Sequence, residues 1–219
     1  MKRFLGFVGI LGVLVGFAQD SWAVTNVSGV ISTDATWTAT GSPYIVTANV
    51  FVQGAETPIL TIEPGVEVRF AQNQGLFIGG NSANQLGKLI ANGGAGTITF
   101  TSSQTTHTKG YWSCIYFYNY ADDASLLKNV RVEYGGYSYN ANIYCYYASP
   151  TIRDSVIGSS SQYGISCNDS SPIITNNTIS GNSSDGICNE NNSSGTITDS
   201  ILTKTVCKKI ILNSIVTVS

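Results

Sequence analysis

The amino-acid sequence predicts an all-β solenoid, in which rungs of about 22 residues stack along one axis and each rung holds three short strands. Two observations lead to this prediction. A repeat of nearly fixed spacing fills the second half of the chain, and short β-branched runs separated by Gly, Asn, Ser, Asp and Pro occupy all of it. The chain has 219 residues, enough for one domain or two small ones. Only 11% of them are charged, which argues against a coiled coil or a helical bundle.

Three heptapeptides define the repeat. They read TIRDSVI, IITNNTI and TITDSIL, begin at Thr151, Ile173 and Thr196, and are therefore 22 and 23 residues apart. A looser copy, LLKNVRV, begins at Leu126. The unit has no helical period and little leucine, which excludes helical and leucine-rich repeats. With three strands per rung, residues 43–203 give about seven rungs.

The solenoid geometry assigns places to individual residues of the repeat. Asp154, Asn176 and Asp199 stand between two strands of their units, where a corner needs a residue that tolerates a left-handed backbone. Residues one rung apart stack about 4.8 Å from each other. The alignment therefore predicts two interior ladders, formed by Ile115, Ile143, Ile165 and Ile187 and by Phe117, Cys145 and Cys167.

The first half of the chain also consists of short strand-like runs separated by turn residues, but its runs do not recur at a fixed spacing. Seven strand-like runs are closed by turn residues, and they are 44–46, 50–52, 60–62, 66–70, 76–78, 89–91 and 98–100. The five cysteines include no C-x-x-C pair, so zinc binding and thioredoxin-like chemistry are poorly supported. We interpret Cys145 and Cys167 as interior side chains, with a disulfide between rungs as the alternative. Cys188 aligns with the outward Ser166 and is expected to be the most accessible thiol of the middle three cysteines.

The two ends of the chain differ from the solenoid. Lys2 and Arg3, an apolar run, and small residues at Ser21 and Ala23 predict a signal peptide over residues 1–23. Residues 24–42 would form an N-terminal lead-in and cap. After Leu202 the repeat stops, so residues 204–219 are expected to form an atypical tail, the least ordered part of the chain, through which it self-associates.

The early rungs carry a resemblance. Tyr44-Ile45-Val46, the run LTIEPGV from Leu60 and the later ITFTS from Ile98 are similar to the opening rungs of bacterial right-handed parallel β-helix proteins of the pectate-lyase-like superfamily. The resemblance covers residues 43–203 and implies a right-handed, single-stranded parallel β-helix. It implies function only weakly, because the superfamily holds lyases, hydrolases, adhesins and proteins without known activity.

The catalytic groups of that superfamily are poorly represented. Glycoside hydrolysis needs two carboxylates, and the adjacent pair Asp122-Asp123 is typical of a solvated turn. A lyase needs a basic residue beside a calcium site. Stacking aligns Lys128 with Arg153 beside Asp154, but too few carboxylates converge there for calcium. We therefore expect no catalytic residue, metal or cofactor, and keep a lyase or hydrolase using this face as the alternative.

Aromatic residues offer the leading candidate site. Ten of the twelve tyrosines lie between Tyr111 and Tyr147. Strand alternation predicts that Tyr116 and Tyr118 point outward, and that Tyr144 and Tyr146 stack on them one rung later. Aromatic planes with hydroxyls suit the apolar faces and polar rims of sugar rings. The alternative is plain cross-strand pairing, or cover by a neighbouring loop.

The sequence thus predicts an exported protein that binds a polysaccharide or cell-surface glycan, with the ligand-binding residues Trp112, Tyr116, Tyr118, Tyr144 and Tyr146. A structural surface or adhesin module is the third hypothesis. The net charge of −2 gives no sign of a nucleic-acid partner, and no membrane partner is expected once the signal peptide is removed. The expected location is secreted, at the cell surface or in the periplasm.

Overall fold

The computed structural model of the chain describes residues 24–203 and the two dipeptides 206–207 and 217–218. The predicted signal peptide and nearly all of the atypical tail lie outside the described residues. Among the described residues, no helix is long and apolar enough to cross a membrane.

Short strands alternate with turns along the described chain, with one 3₁₀ turn at Ala39–Gly41. The strands are β1 (Thr25–Ile31), β2 (Ala35–Trp37), β3 (Tyr44–Val52), β4 (Ile59–Ile62), β5 (Glu67–Phe70), β6 (Leu76–Ile78), β7 (Lys88–Asn92), β8 (Ile98–Ser102), β9 (Ile115–Phe117), β10 (Leu126–Lys128), β11 (Val130–Glu133), β12 (Ala141–Tyr146), β13 (Thr151–Arg153), β14 (Val156–Gly158), β15 (Tyr163–Asn168), β16 (Ile173–Thr175), β17 (Thr178–Ser180), β18 (Ile187–Glu190), β19 (Thr196–Thr198), β20 (Ile201–Leu202), β21 (Val206–Cys207) and β22 (Thr217–Val218).

These strands stack into three parallel sheets, which run along the solenoid. The first sheet, which we call the site sheet, contains the second half of β3 followed by β6, β9, β12, β15, β18 and β21. The second sheet runs from the first half of β3 through β5, β8, β11, β14, β17, β20 and β22. The third sheet contains β2, β4, β7, β10, β13, β16 and β19. About seven rungs result, each with one strand per sheet, so the predicted all-β single-stranded parallel β-helix is confirmed.

The register of the third sheet confirms the repeat alignment. Leu126 of β10 pairs with Thr151 of β13, which pairs with Ile173 of β16 and then with Thr196 of β19. The repeat is visible in the sequence because each residue has the same chemical environment as its equivalent in the next rung. In the first half, two predicted runs, 44–46 and 50–52, merge into β3, which passes from the second sheet into the site sheet.

Asparagine and aspartate form the corner between the third and second sheets, as predicted. Asp154, Asn176 and Asp199 have φ of 54°, 52° and 49°, the left-handed region in which these two residue types are least strained. Asn129 takes the same place in the preceding rung, with φ of 49°. The Asn176 amide also donates a hydrogen bond of 2.7 Å to Asp154, so the corner side chains link successive rungs.

The solenoid interior is a continuous apolar core. Ile115, Ile143, Ile165 and Ile187 pair in register and are fully buried, and so are Phe117, Cys145 and Cys167. Both predicted ladders are confirmed. The N-terminal residues 24–42 lie against the first rung, where β1 pairs with β3 and Trp37 stacks on Tyr44 with ring centroids 4.9 Å apart. The role of this segment as a cap stays an interpretation.

The four cysteines whose side chains the structure describes are three free buried thiols and one disulfide-bonded residue. Cys114, Cys145 and Cys167 are free and have no exposed surface. Cys188 takes the outward register position of Ser166, as predicted, yet the expectation of an accessible thiol is wrong. Its side chain is only 3% exposed and is disulfide-bonded. Alternation gives the direction of a side chain, but the groups that cover it come from elsewhere in the fold.

The buried thiols predict a loss of stability at alkaline pH. Burial raises the pKa of Cys114 far above its ordinary value of 9.0, and contact with Cys167 together with burial raises that of Cys145. Above pH 9 the unfolded chain gives up thiol protons that the folded chain keeps, so the free energy of unfolding falls, by about 1.4 kcal/mol per pH unit and thiol. Urea unfolding between about pH 8 and 10 measures this slope. Cys114→Ala should make it shallower, and an equal slope in that variant would contradict the explanation.

Candidate functional site

The outer face of the site sheet carries a column of aromatic residues. Phe51 pairs with Phe77, Phe77 with Tyr116, and Tyr116 with Tyr144, one residue from each of four successive rungs. The column continues toward the C-terminal end through Ser166 and Cys188. Parallel in-register stacking makes this possible, because each outward position repeats one rung later at the spacing of neighbouring strands.

Further aromatic rings lie beside this column and complete what we call the aromatic strip. The strip consists of Phe51, Phe77, Tyr116, Tyr118, Tyr139, Tyr144 and Tyr146, which pack into one cluster together with the buried Cys114. Phe51 and Phe77 stack with centroids 5.0 Å apart, and Tyr116 and Tyr144 stack at 4.9 Å. Such pairs stabilise the sheet by about 0.5–1.5 kcal/mol each beyond the area they bury.

Two of the five predicted binding residues are covered. Trp112 has no exposed surface, because its ring lies in the interior and stacks on Phe70 at a centroid distance of 4.1 Å. Tyr116 points outward but is only 6% exposed, beneath an edge-on contact from Tyr139 at 4.7 Å. The expectation that these two side chains face a ligand is therefore wrong. Trp112 precedes β9, so the alternation of side chains along that strand does not apply to it. Tyr116 is covered by the loop that carries Tyr139.

The other three predicted residues, Tyr118, Tyr144 and Tyr146, are partly exposed. The Tyr144 hydroxyl accepts a hydrogen bond of 3.3 Å from the Asn168 amide, which lies one rung further along. Burial is the main cause that raises the pKa of Tyr118 and Tyr144 above its ordinary value of 10.0. Both phenols therefore stay protonated at neutral pH and can donate as well as accept hydrogen bonds.

Tyr139 is the site residue that sequence reasoning missed. It lies in the loop 134–140 between β11 and β12, whose length differs from the equivalent turns of the later rungs. The buried side chain of Asn142 holds this loop, because its Oδ1 accepts a hydrogen bond of 2.8 Å from the Gly135 amide. Its amide donates to the carbonyls of Val132 and Gly158, at 3.1 and 2.6 Å. The tyrosine density of the segment was the available signal, but the covering geometry has no sequence pattern.

Two depressions lie along the aromatic strip. One, of about 320 Å³, is lined by Phe51, Tyr118, Gln53, Asn81 and Gln85 among others. The other, of about 190 Å³, is lined by Ser138, Tyr139, Asn140, Tyr144, Tyr163, Ser166 and Glu190. Both combine aromatic rings with amides or hydroxyls, and Glu190 adds a carboxylate to the second. This mixture of a few apolar planes and convergent polar groups is typical of small-molecule and sugar sites.

The residues considered for catalysis lie elsewhere. Lys128 does stack on Arg153, as predicted, but both belong to the third sheet, and Arg153 forms an ion pair of 3.0 Å with its neighbour Asp154. Asp122 accepts a hydrogen bond from the amide of Ala124 at 2.8 Å, which is the geometry of a turn. None of these groups lines the aromatic strip.

His107 also makes structural contacts. Its Nδ1 lies 2.6 Å from the Ser102 hydroxyl, and its ring stacks on Tyr134 at a centroid distance of 4.7 Å. Within the described part of the chain, no group of three or more His, Cys, Asp or Glu side chains could hold a metal ion.

Comparison with known protein families gives a match over most of the solenoid. Residues 53–214 match the family model described as "Periplasmic copper-binding protein (NosD)", which covers well over half of the chain. The match includes every rung that carries the aromatic strip after Phe51. No curated protein and no solved structure matches the chain.

Proposed function

The chain belongs to the NosD family, and we propose from this premise that it is an exported parallel β-helix whose aromatic strip binds a polysaccharide or a cell-surface glycan. The family description names the periplasm, and the predicted signal peptide would likewise direct the chain out of the cytoplasm. Both support export, with the periplasm and the cell surface as the candidate locations.

The partly exposed tyrosines carry the glycan proposal. Tyr118, Tyr144 and Tyr146 pack into one cluster on the outer face of the site sheet, and two of them line depressions that also contain amide and hydroxyl groups. A sugar ring packs its C–H face on an aromatic plane and hydrogen-bonds through its rim, so the site supplies both kinds of contact. Because each rung repeats the outward positions, the strip suits an extended chain of sugars better than a single one.

Copper, which the family description names, does not fit the side chains described. Copper is bound by imidazole, thiolate and thioether ligands. The chain has one histidine, already bonded to Ser102, and one methionine, Met1, outside the described residues. Cys145 and Cys167 touch in the interior beside Asn189, whose buried amide has no hydrogen-bond partner within the described ranges. Both thiols are fully buried and that of Cys145 resists ionisation, so this pair is a poor source of thiolate ligands.

Tyr144→Ala tests the proposed function. We expect this variant to lose at least about tenfold in affinity for the polysaccharide that the native protein retains, since truncating an aromatic residue that anchors a ligand typically costs about 2 kcal/mol or more. The measurement is affinity electrophoresis in gels containing each polysaccharide, followed by calorimetry with the retained one. Circular dichroism of each variant verifies that the fold is kept.

The matched control is Tyr137→Ala. Tyr137 is 54% exposed and is not part of the aromatic strip, so its loss should leave the affinity unchanged. If native protein is retained by none of a broad panel of polysaccharides, the glycan proposal fails and a structural surface module is favoured. If a uronic-acid polymer is instead cleaved, and Arg153→Ala abolishes the cleavage, the lyase alternative replaces it.

A further inference from the structure

Among the described residues, the strands of the site sheet carry no basic side chain. The six basic residues of the described range 24–203 lie in the second sheet, in the third sheet or in the loop before β9, and they are Arg69, Lys88, Lys109, Lys128, Arg131 and Arg153. The site sheet therefore has no cation among its described residues. It does carry Glu190 at the end of β18, and Asp169 stands at the corner that follows β15.

Glu190 is the charged group of the second depression. It shares that depression with Tyr139, Tyr144 and Tyr163, and pairs in register with Asn168, which donates to the Tyr144 hydroxyl. Its proximity is one of the causes that keep the pKa of Tyr144 raised. None of the four ion pairs of the described residues includes Glu190. Its Oε1 lies 4.0 Å from Cys188 Sγ, and its side chain borders a space lined by hydroxyl groups and the Asn140 amide.

This arrangement has a consequence for ligand selection that goes beyond glycan binding in general. A uronate would bring its carboxylate close to that of Glu190, and no basic residue in the described strands of this sheet offsets the repulsion. A sugar ammonium finds the opposite situation, because Glu190 accepts a charge-assisted hydrogen bond from it. A neutral sugar gains neither effect.

We propose that the aromatic strip selects glycans containing amino sugars and rejects uronic-acid polymers, with Glu190 as the group that binds the sugar ammonium. The proposal rests on the glycan-binding function above. It is opposite to the lyase alternative, which would act on uronic-acid polymers.

Calorimetry with three matched hexasaccharides, of glucosamine, glucose and galacturonate, tests the proposal on the full mature chain. We expect the glucosamine hexamer to bind most tightly and the galacturonate hexamer most weakly. Glu190→Gln should weaken glucosamine binding about fivefold, the range of a partly exposed ion pair, and leave glucose binding unchanged. Added salt should reduce the preference.

Asp199→Asn is the control for simple attraction between an acidic protein and a cationic sugar. It removes the same charge from the third sheet's corner, where Asn also tolerates the positive φ. An equal loss of glucosamine binding in both variants would overturn the role of Glu190. Galacturonate binding as tight as glucosamine binding would overturn the selectivity and leave glycan binding intact. Failure of all three hexamers, with no polysaccharide retained, would remove the proposed function itself.

Discussion

Replacing Trp112 with alanine should lower the free energy of unfolding by about 3–5 kcal/mol, the usual cost of deleting a large buried aromatic side chain. Trp112 is fully buried, stacks on Phe70 and donates a hydrogen bond of 2.8 Å from Nε1 to the Glu133 carbonyl. It therefore joins the second sheet to the segment that leads into the site sheet. Its removal leaves a cavity in the core and an acceptor without its donor.

Urea unfolding followed by circular dichroism measures this change. Trp112→Phe is the graded control, because it keeps the stacking on Phe70 and loses the hydrogen bond, and it should cost clearly less. Tyr137→Ala, at an exposed position, should stay within about 0.5 kcal/mol. A Trp112→Ala variant as stable as the native chain would mean that this ring does not lie in the interior.

Replacing Asn142 with leucine should cost about 3 kcal/mol and also disturb the aromatic strip. The Gly135 amide would lose its acceptor, and the carbonyls of Val132 and Gly158 would lose a donor, all in a buried place. Leucine has a similar volume, so the effect comes from hydrogen bonding rather than from a cavity. Because the same contacts hold the loop 134–140, its Tyr139 should move away from Tyr116.

Two measurements separate these consequences. Urea unfolding gives the loss of stability, and tyrosine fluorescence quenching by acrylamide reports the exposure of the strip, for which the exposed Asn119→Leu is the matched control. Asn142→Asp keeps the acceptor for Gly135 but loses the amide donor, so it should also destabilise the chain. Unchanged quenching in Asn142→Leu would contradict the role of Asn142 in positioning the loop.

The amino-acid sequence alone determined the solenoid and most of the register between its strands. Identical environments recur at each rung, so the spacing of the heptapeptides at Thr151, Ile173 and Thr196 is also the spacing of the strands in the third sheet. Corner residues with positive φ are chemically restricted, which makes Asp154 and Asn176 recognisable without coordinates. The outward direction of Tyr118 and Tyr144 followed from strand alternation in the same way.

Only the tertiary structure decided which outward or loop residues are accessible. Alternation specifies the side of a strand, whereas exposure depends on what crosses that side, and the irregular loops around residues 103–114 and 134–140 belong to no repeat. For this reason the sequence did not show that Tyr139 covers Tyr116 or that Trp112 turns into the core. The burial and the disulfide bond of Cys188 are likewise features of the tertiary structure. The physical cause is that rung stacking is local and periodic in sequence, while loop packing joins residues whose separation follows no period.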